Sequence, residues 1–259
     1  MSIFSGKAII ITGASSGLGR AMAIRLGAAG ADLWLTGRSQ AELDVTANNV
    51  VEAGGPRPQL RAIDLAETGR LRKLVEEAAQ TSEHLFALVN NAGLMFPEPI
   101  MQGTPDRWSA MLAVNILAVL EGAQAAVTAM RGHGKPGHII NIGSIAARWE
   151  EGGVYGATKK MVETITASLR GEVEQDDIRV TTIIPGGFAT QLARGFMPEQ
   201  LSTVQESFAK RGIGADGVGA ERLVSDPVHL ANAVAYVLEQ PIDVNIQEIL
   251  IRPPVATGV

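Results

Sequence analysis

Short apolar, β-branched runs alternate along this chain with longer segments whose apolar residues recur every three or four positions. The short runs predict strands over residues 8–12, 32–36, 59–63, 85–90, 138–142, 179–184 and 247–251. The longer segments predict helices over 18–29, 40–53, 68–80, 106–130, 155–174 and 227–239. Ala87-Leu88-Val89 and Ile139-Ile140 are apolar at consecutive positions, so both faces of those strands must be covered. Buried strands alternating with helices predict an α/β fold, a parallel seven-stranded sheet flanked by helices on both faces. No Pro/Gly/Ser linker and no internal repeat divides the chain, which reads as one domain over 1–259. The stretch 190–222 is broken by Gly195, Pro198, Gly212, Gly214, Gly217 and Gly219. It still carries Leu192, Phe196, Met197, Leu201, Val204 and Phe208, so it reads as a substrate lid or, failing that, a disordered surface loop.

Composition narrows the function classes. Apolar residues make up 46% and charged residues 19%, enough to build a large core. A net charge of −5, with no run of Lys and Arg, leaves no electrostatic footprint for nucleic acid or an anionic membrane. With no cysteine there is no disulfide, thiolate metal site or cysteine nucleophile. His84, His133, His138 and His229 form no metal-ligand pattern, so no metal is expected. The apolar run Ala8-Ile9-Ile10-Ile11 is too short for a signal-peptide core. The stretch 111–127 contains Asn115 and Glu121, which suits a buried helix better than a lipid-spanning one. A soluble, cytoplasmic protein is expected.

Two local patterns carry chemistry. The first strand runs into Thr12-Gly13-Ala14-Ser15-Ser16-Gly17-Leu18-Gly19 and then a helix. Glycine there lets backbone N–H groups approach a pyrophosphate, and the helix N-terminus favours its negative charge. The spacing departs from G-x-G-x-x-G, so the turn alone can also reflect tight packing. After the second strand, the place where a ribose-binding acid would select NAD, the chain has Thr36-Gly37-Arg38-Ser39. Arg38 offers a planar cation to a 2′-phosphate, pointing to NADP(H) as preferred, with NAD(H) possible. The second pattern is Tyr155-Gly156-Ala157-Thr158-Lys159, which puts a phenol and an ammonium on one helical face. The ammonium is expected to lower the tyrosine pKa from its usual value of about 10.

These motifs, with Asp64, Asn90-Asn91-Ala92-Gly93, Asn115, Ser144 and Pro185-Gly186 in the same order, resemble the short-chain dehydrogenase/reductase family over essentially the whole chain. The resemblance implies a Rossmann-type, doubly wound, three-layer α/β/α fold. It implies that Gly13, Ser15, Ser16, Gly17, Leu18, Gly19 and Arg38 hold the cofactor's phosphates, with Asp64 and Leu65 flanking the adenine and Asn91 beside the adenosine ribose. Tyr155 would exchange a proton with the substrate oxygen and Ser144 would hydrogen-bond that oxygen. Lys159 would bind the nicotinamide ribose and tune Tyr155, and Asn115 would hold a water linking Lys159 to solvent. Pro185, Gly186, Phe188 and Thr190 would line the nicotinamide end. A homodimer or homotetramer is implied as well, formed through two central helices and the C-terminal segment.

The substrate is less legible. Arg148-Trp149-Glu150-Glu151 lies between Ser144 and Tyr155, where Trp149 can form an apolar wall and Arg148 or a Glu can read a charged group. The ending 244–253 is similar to that of a subgroup including 3-hydroxy-acid and serine-type dehydrogenases, which suggests a small polar hydroxy acid or amino alcohol. Reduction of a bulkier aldehyde or ketone is the alternative, and a nucleotide-sensing protein on the same fold is a further one. The complete set of Asn115, Ser144, Tyr155 and Lys159 favours an enzyme over a sensor.

Overall fold

The computed structural model describes residues 3–150, 152–190 and 224–254. Its order is β1 (Ala8–Thr12), α1 (Gly17–Ala28), β2 (Asp32–Gly37), α2 (Gln40–Glu52), β3 (Gln59–Ala62), α3 (Arg70–Thr81) and β4 (Leu85–Asn90). Then come α4 (Pro105–Leu112), α5 (Ala118–His133), β5 (Gly137–Ile142), α6 (Gly153–Glu172), β6 (Ile178–Pro185), α7 (Pro227–Glu239) and β7 (Glu248–Ile251). All seven predicted strands and all six predicted helices form, with ends displaced by at most two residues except at the C-terminal end of the long central helix, which runs three residues further. The stretch 190–222 expected as a lid lies outside the described residues apart from Thr190.

The strands form one parallel sheet in the order β3-β2-β1-β4-β5-β6-β7. Alternation along β1 sends Ile9 and Ile11 into one core and Ala8 and Ile10 into the other. On the first face lie Met22 and Leu26 of α1, Leu43 and Val50 of α2, and Leu230 and Val234 of α7. On the second lie Leu71 and Leu74 of α3, and Ala126 and Met130 of α5. This is the three-layer arrangement the patterns predict. The strand order reverses between β1 and β4, which opens a crevice beyond their C-terminal ends where ligands of such sheets bind.

Local chemistry sets the helix starts. Ser39 accepts from the Glu42 N–H at the start of α2, and Asp226 accepts from the Val228 N–H ahead of Pro227 in α7. The helix predicted over 106–130 runs from Pro105 to His133 and is apolar enough to match a membrane span. It is a core helix, with 61% of its most apolar window buried. Between α4 and α5, Ala113–Leu117 form a π turn, which periodicity did not predict.

Candidate active site

The glycine-rich turn joins β1 to α1 at the crevice. Gly13 and Gly17 take φ of +66° and +52°, a region that L side chains rarely adopt. Gly19 has a different reason to be glycine, because a Cβ there would lie 2.2 Å from the Gly13 carbonyl oxygen. Ser16 caps α1 with no side-chain hydrogen bond, and the first turn carries no acid, so this helix end is electrostatically open to an anion. Asn91 braces the turn from β4, donating to the Thr12 carbonyl at 2.8 Å and the Gly13 carbonyl at 3.2 Å. Thr12 Oγ1 accepts from the N–H groups of Asn91 and Ala92, both at 2.9 Å. Asn91 therefore holds in place the backbone turn expected to carry the phosphates.

Other expected cofactor positions surround this turn. Gly37 lets the end of β2 pack against Ser15, since a Cβ there would meet Ser15 Oγ at 3.0 Å. Arg38 follows, exposed to solvent at the crevice. Asp64 is also exposed and caps the Ala66 N–H at 2.9 Å. Leu65 is 8% exposed and belongs to the second core, so it offers little surface to an adenine. Across the crevice, Pro185 is buried at the end of β6, and the Gly186 N–H bonds to the Ile251 carbonyl at 2.7 Å. Phe188 packs on the first core, and its backbone bridges to Ser225. A Cβ on Gly17 would lie 3.2 Å from Thr190 Cβ, so the chain after β6 passes directly beside the phosphate turn.

The expected chemical groups gather at the C-terminal ends of β4 and β5. Ser144 follows β5 and caps the short 3₁₀ turn Ile145–Arg148 by accepting from the Ala146 N–H. Tyr155 lies in the first turn of α6, with Lys159 one turn later, and both side chains are buried. Lys159 Nζ stands 6.0 Å from the centre of the Tyr155 ring and donates to the Ile142 carbonyl at 2.8 Å. Glycine makes this assembly possible: a Cβ on Gly156 would stand 2.7 Å from the Ala146 carbonyl oxygen. Any side chain at 156 would therefore push α6 away from the Ser144 turn.

Asn115 ties the pieces together. Its Oδ1 accepts from the Leu94 N–H at 2.8 Å, and its Nδ2 donates to the Leu94 carbonyl at 2.9 Å and Thr158 Oγ1 at 3.0 Å. Thr158 in turn donates to the Tyr155 carbonyl at 2.7 Å. Both amide hydrogens of Asn115 thus have protein partners, which leaves only a second Oδ1 lone pair or its backbone for a water. A Cβ on Gly93 would stand 3.4 Å from Asn115 Oδ1 and 3.5 Å from Lys159 Nζ, so glycine keeps the space between them open. Sequence reasoning missed Thr158 and Gly156. The signal for Thr158 was present, as a polar residue at i+3 from Tyr155 on an otherwise buried helical face.

The electrostatics differ from the sequence expectation. Burial pushes the Tyr155 phenol above its ordinary pKa, partly offset by a polar contact from the Ser144 side chain. Burial also lowers Lys159 to about 8, because its ammonium is poorly solvated. The phenol is thus shifted upward rather than downward as expected, and Ser144, not Lys159, is the group that offsets burial. Around Tyr155 the surface is apolar, with Leu94, Met95, Phe96, Trp108, Trp149 and Val154 partly buried against Met111, Ala146 and Tyr155. Arg148 points away to an ion pair with Glu248 on β7 at 2.5 Å. Among the described residues no group of three or more His, Cys, Asp or Glu side chains is placed to hold a metal.

Comparison with known proteins agrees with this architecture. The family model of the short chain dehydrogenases matches residues 7–200. The chain is 32% identical to an uncharacterized oxidoreductase of Staphylococcus aureus, over 98% of this chain and all of the relative. Among solved structures, it is similar to a metagenomic short-chain oxidoreductase in complex with NADP, at 28% identity and a TM-score of 0.78, covering 98% of this chain and 100% of that one. It is also similar to the closed form of a serine dehydrogenase complexed with NADP+, at 27% identity and a TM-score of 0.78, covering 97% and 98%. With three-quarters of its length inside the family model and a full-length relative above 30% identity, the chain is an oxidoreductase of the short-chain dehydrogenase family.

Proposed function

We propose that this protein interconverts an alcohol and a carbonyl with NADP(H) as hydride carrier and Tyr155 as general acid/base. The observation that carries the reading is the buried trio at the crevice. Ser144 contacts the Tyr155 phenol, and the Lys159 ammonium lies 6.0 Å from the same ring. The residues present suit a nicotinamide dinucleotide. The Gly13–Gly19 turn leaves an uncapped helix end for a pyrophosphate, and the glycine at 93 keeps a cradle open beside Lys159. When bound, the nicotinamide supplies or accepts the hydride.

The chain's own groups handle the proton. In reduction the Tyr155 hydroxyl gives its proton to the substrate oxygen as negative charge develops there, while the Ser144 hydroxyl donates a hydrogen bond to the same oxygen. In oxidation the same groups run in reverse, with Tyr155 taking the proton from the alcohol. Lys159 stabilises the phenolate left behind, and reprotonation runs through the opening between Lys159 Nζ and Asn115 Oδ1. A sensor that only bound nucleotide would not require this set of groups.

NADP(H) preference rests on Arg38, exposed at the end of β2 where no acid stands. NADP-bound solved relatives support the same choice. Arg38→Asp is expected to weaken NADPH binding by about tenfold or more and NADH binding little; equal losses would remove Arg38 as the phosphate reader. The reading also takes 1–259 as one cytoplasmic oxidoreductase domain with a lid at about 190–222. It assembles as a homodimer or homotetramer, for which Leu112, Leu117, Leu120 and Met161 offer exposed apolar side chains on the central helices. Oxidation or formation of reduced nicotinamide, followed by absorbance across hydroxy acids, amino alcohols, sugars and ketones, tests the reaction class. No turnover with any of them would favour the sensor.

A further inference from the structure

We infer that Arg20 and Thr46 are positioning residues for the cofactor pyrophosphate. They draw the Ala14 and Ser15 carbonyls toward helices α1 and α2 and so leave the N–H groups of Ser15 and Ser16 for the phosphates. The inference rests on the reading of Gly13–Gly19 as the pyrophosphate turn and is independent of the role of Tyr155.

A turn that binds phosphate must present N–H groups and keep its carbonyl oxygens away from the anion. The local backbone does not decide that orientation here. Gly13 and Gly17 flank Ala14–Ser16 with φ of +66° and +52°, and glycine at both ends leaves the peptide planes between them free to rotate. The deciding bonds come from the two helices. Thr46 of α2 is fully buried, and its hydroxyl lies 2.9 Å from the Ala14 carbonyl oxygen. The Glu42 carbonyl stands further from it, at 3.1 Å, and is engaged within α2, so the single hydroxyl hydrogen serves Ala14. Arg20 of α1 donates from Nε to Thr46 Oγ1 at 3.0 Å and from Nη2 to the Ser15 carbonyl. The Glu42 carboxylate, 2.7 Å from the same Nη2, holds the guanidinium in place.

The remaining sides of this segment are fixed as well. The Ala14 N–H donates to the Thr36 carbonyl at 2.9 Å. The Ser15 side chain rests on Gly37, where a Cβ would come within 3.1 Å of Ser15 Cβ. The consequence follows from peptide geometry. In a trans peptide the C=O and the next N–H point in opposite directions. With the carbonyls of Ala14 and Ser15 held by Thr46 and Arg20, the N–H groups of Ser15 and Ser16 point away from those side chains, just ahead of the α1 N-terminus. An amide whose carbonyl accepts a hydrogen bond is also the stronger donor at its N–H. Arg20 thus differs from Arg38: it acts through the backbone and is blind to the 2′-phosphate.

Dissociation constants separate these roles. NADPH and NADH are titrated by fluorescence, and adenosine 2′-phosphate, which lacks the pyrophosphate, by ligand-detected NMR. Arg20→Met and Thr46→Val are each expected to weaken both dinucleotides by the same factor, about tenfold, and to leave adenosine 2′-phosphate within about twofold of wild type. Thr46→Ser keeps the hydroxyl and should bind both dinucleotides as wild type does. The two positions lie on different helices, so the prediction stands if one variant does not fold. Unchanged dinucleotide binding, or an equal loss of adenosine 2′-phosphate, overturns the inference. A loss confined to NADPH does so too, because it would make Arg20 a reader of the 2′-phosphate. The cofactor reading fails separately, and earlier, if the wild-type protein binds neither dinucleotide.

Discussion

At the scale of single residues, Lys159 and Tyr155 link position to pH. Lys159 is lowered to about 8, so its ammonium is present below that pH and lost above it. The proposed role needs the cation, hence kcat/KM for carbonyl reduction should be flat up to about pH 8 and fall by up to tenfold per unit beyond it. Lys159→Met should lower the plateau about 10²-fold and abolish this limb. Folding stability should move the other way. Between about 8 and the ordinary lysine value of 10.5 the unfolded chain holds more protons, so the contribution of Lys159 to stability rises with pH there. A reduction profile that rises through pH 8 would contradict the assignment. Tyr155 and Lys159 were legible because a spacing of four brings two side chains onto one helical face. The upward shift of Tyr155 was not legible, since burial depends on Met111 and Ala146, both distant from it along the chain. Asn91 and Leu65 show the same limit: their motif positions were visible, but the hydrogen bonds of one to the Thr12 and Gly13 carbonyls and the burial of the other were not.

Among the elements, the start of α6 is the most tightly constrained. Gly156 admits no Cβ because the Ala146 carbonyl of the preceding turn is in the way. Gly156→Ala should therefore separate Tyr155 from Ser144, lowering kcat about 10²-fold while cofactor binding at the distant Gly13–Gly19 turn stays near wild type. A variant with full activity would show that α6 and the Ser144 turn can separate freely. The strands and helices were readable because periods of two and near four report which faces are buried. The π turn at Ala113–Leu117 was not, because it accompanies a tertiary contact: Asn115 reaches across to Leu94 and Thr158. No local propensity encodes that bond.

For the molecule as a whole, the parallel sheet places polar groups in its interior that tie stability to pH. His138 on β5 is fully buried, shares its Nε2 with Thr181 Oγ1 at 2.8 Å, and lies in register with Arg179 of β6. Burial, aided by that guanidinium, holds His138 well below its ordinary pKa of 6.5. Below pH 6.5 the unfolded chain takes up a proton that the folded one refuses, so stability falls with falling pH, by up to about 1.4 kcal/mol per unit from this residue. Denaturant titrations at pH 5 and pH 7 should show a smaller pH effect in His138→Asn; an equal effect would assign the acid sensitivity elsewhere. The same parallel order creates the crevice at the β1/β4 reversal, where the phosphate turn and the Tyr155 cluster face one another. The central claim is that Tyr155 moves the proton in that crevice. Tyr155→Phe, assayed by reduced-nicotinamide absorbance alongside a direct NADPH-binding titration, should keep cofactor affinity and lose about 10²–10⁴-fold in kcat/KM. Undiminished turnover with cofactor still bound would contradict it.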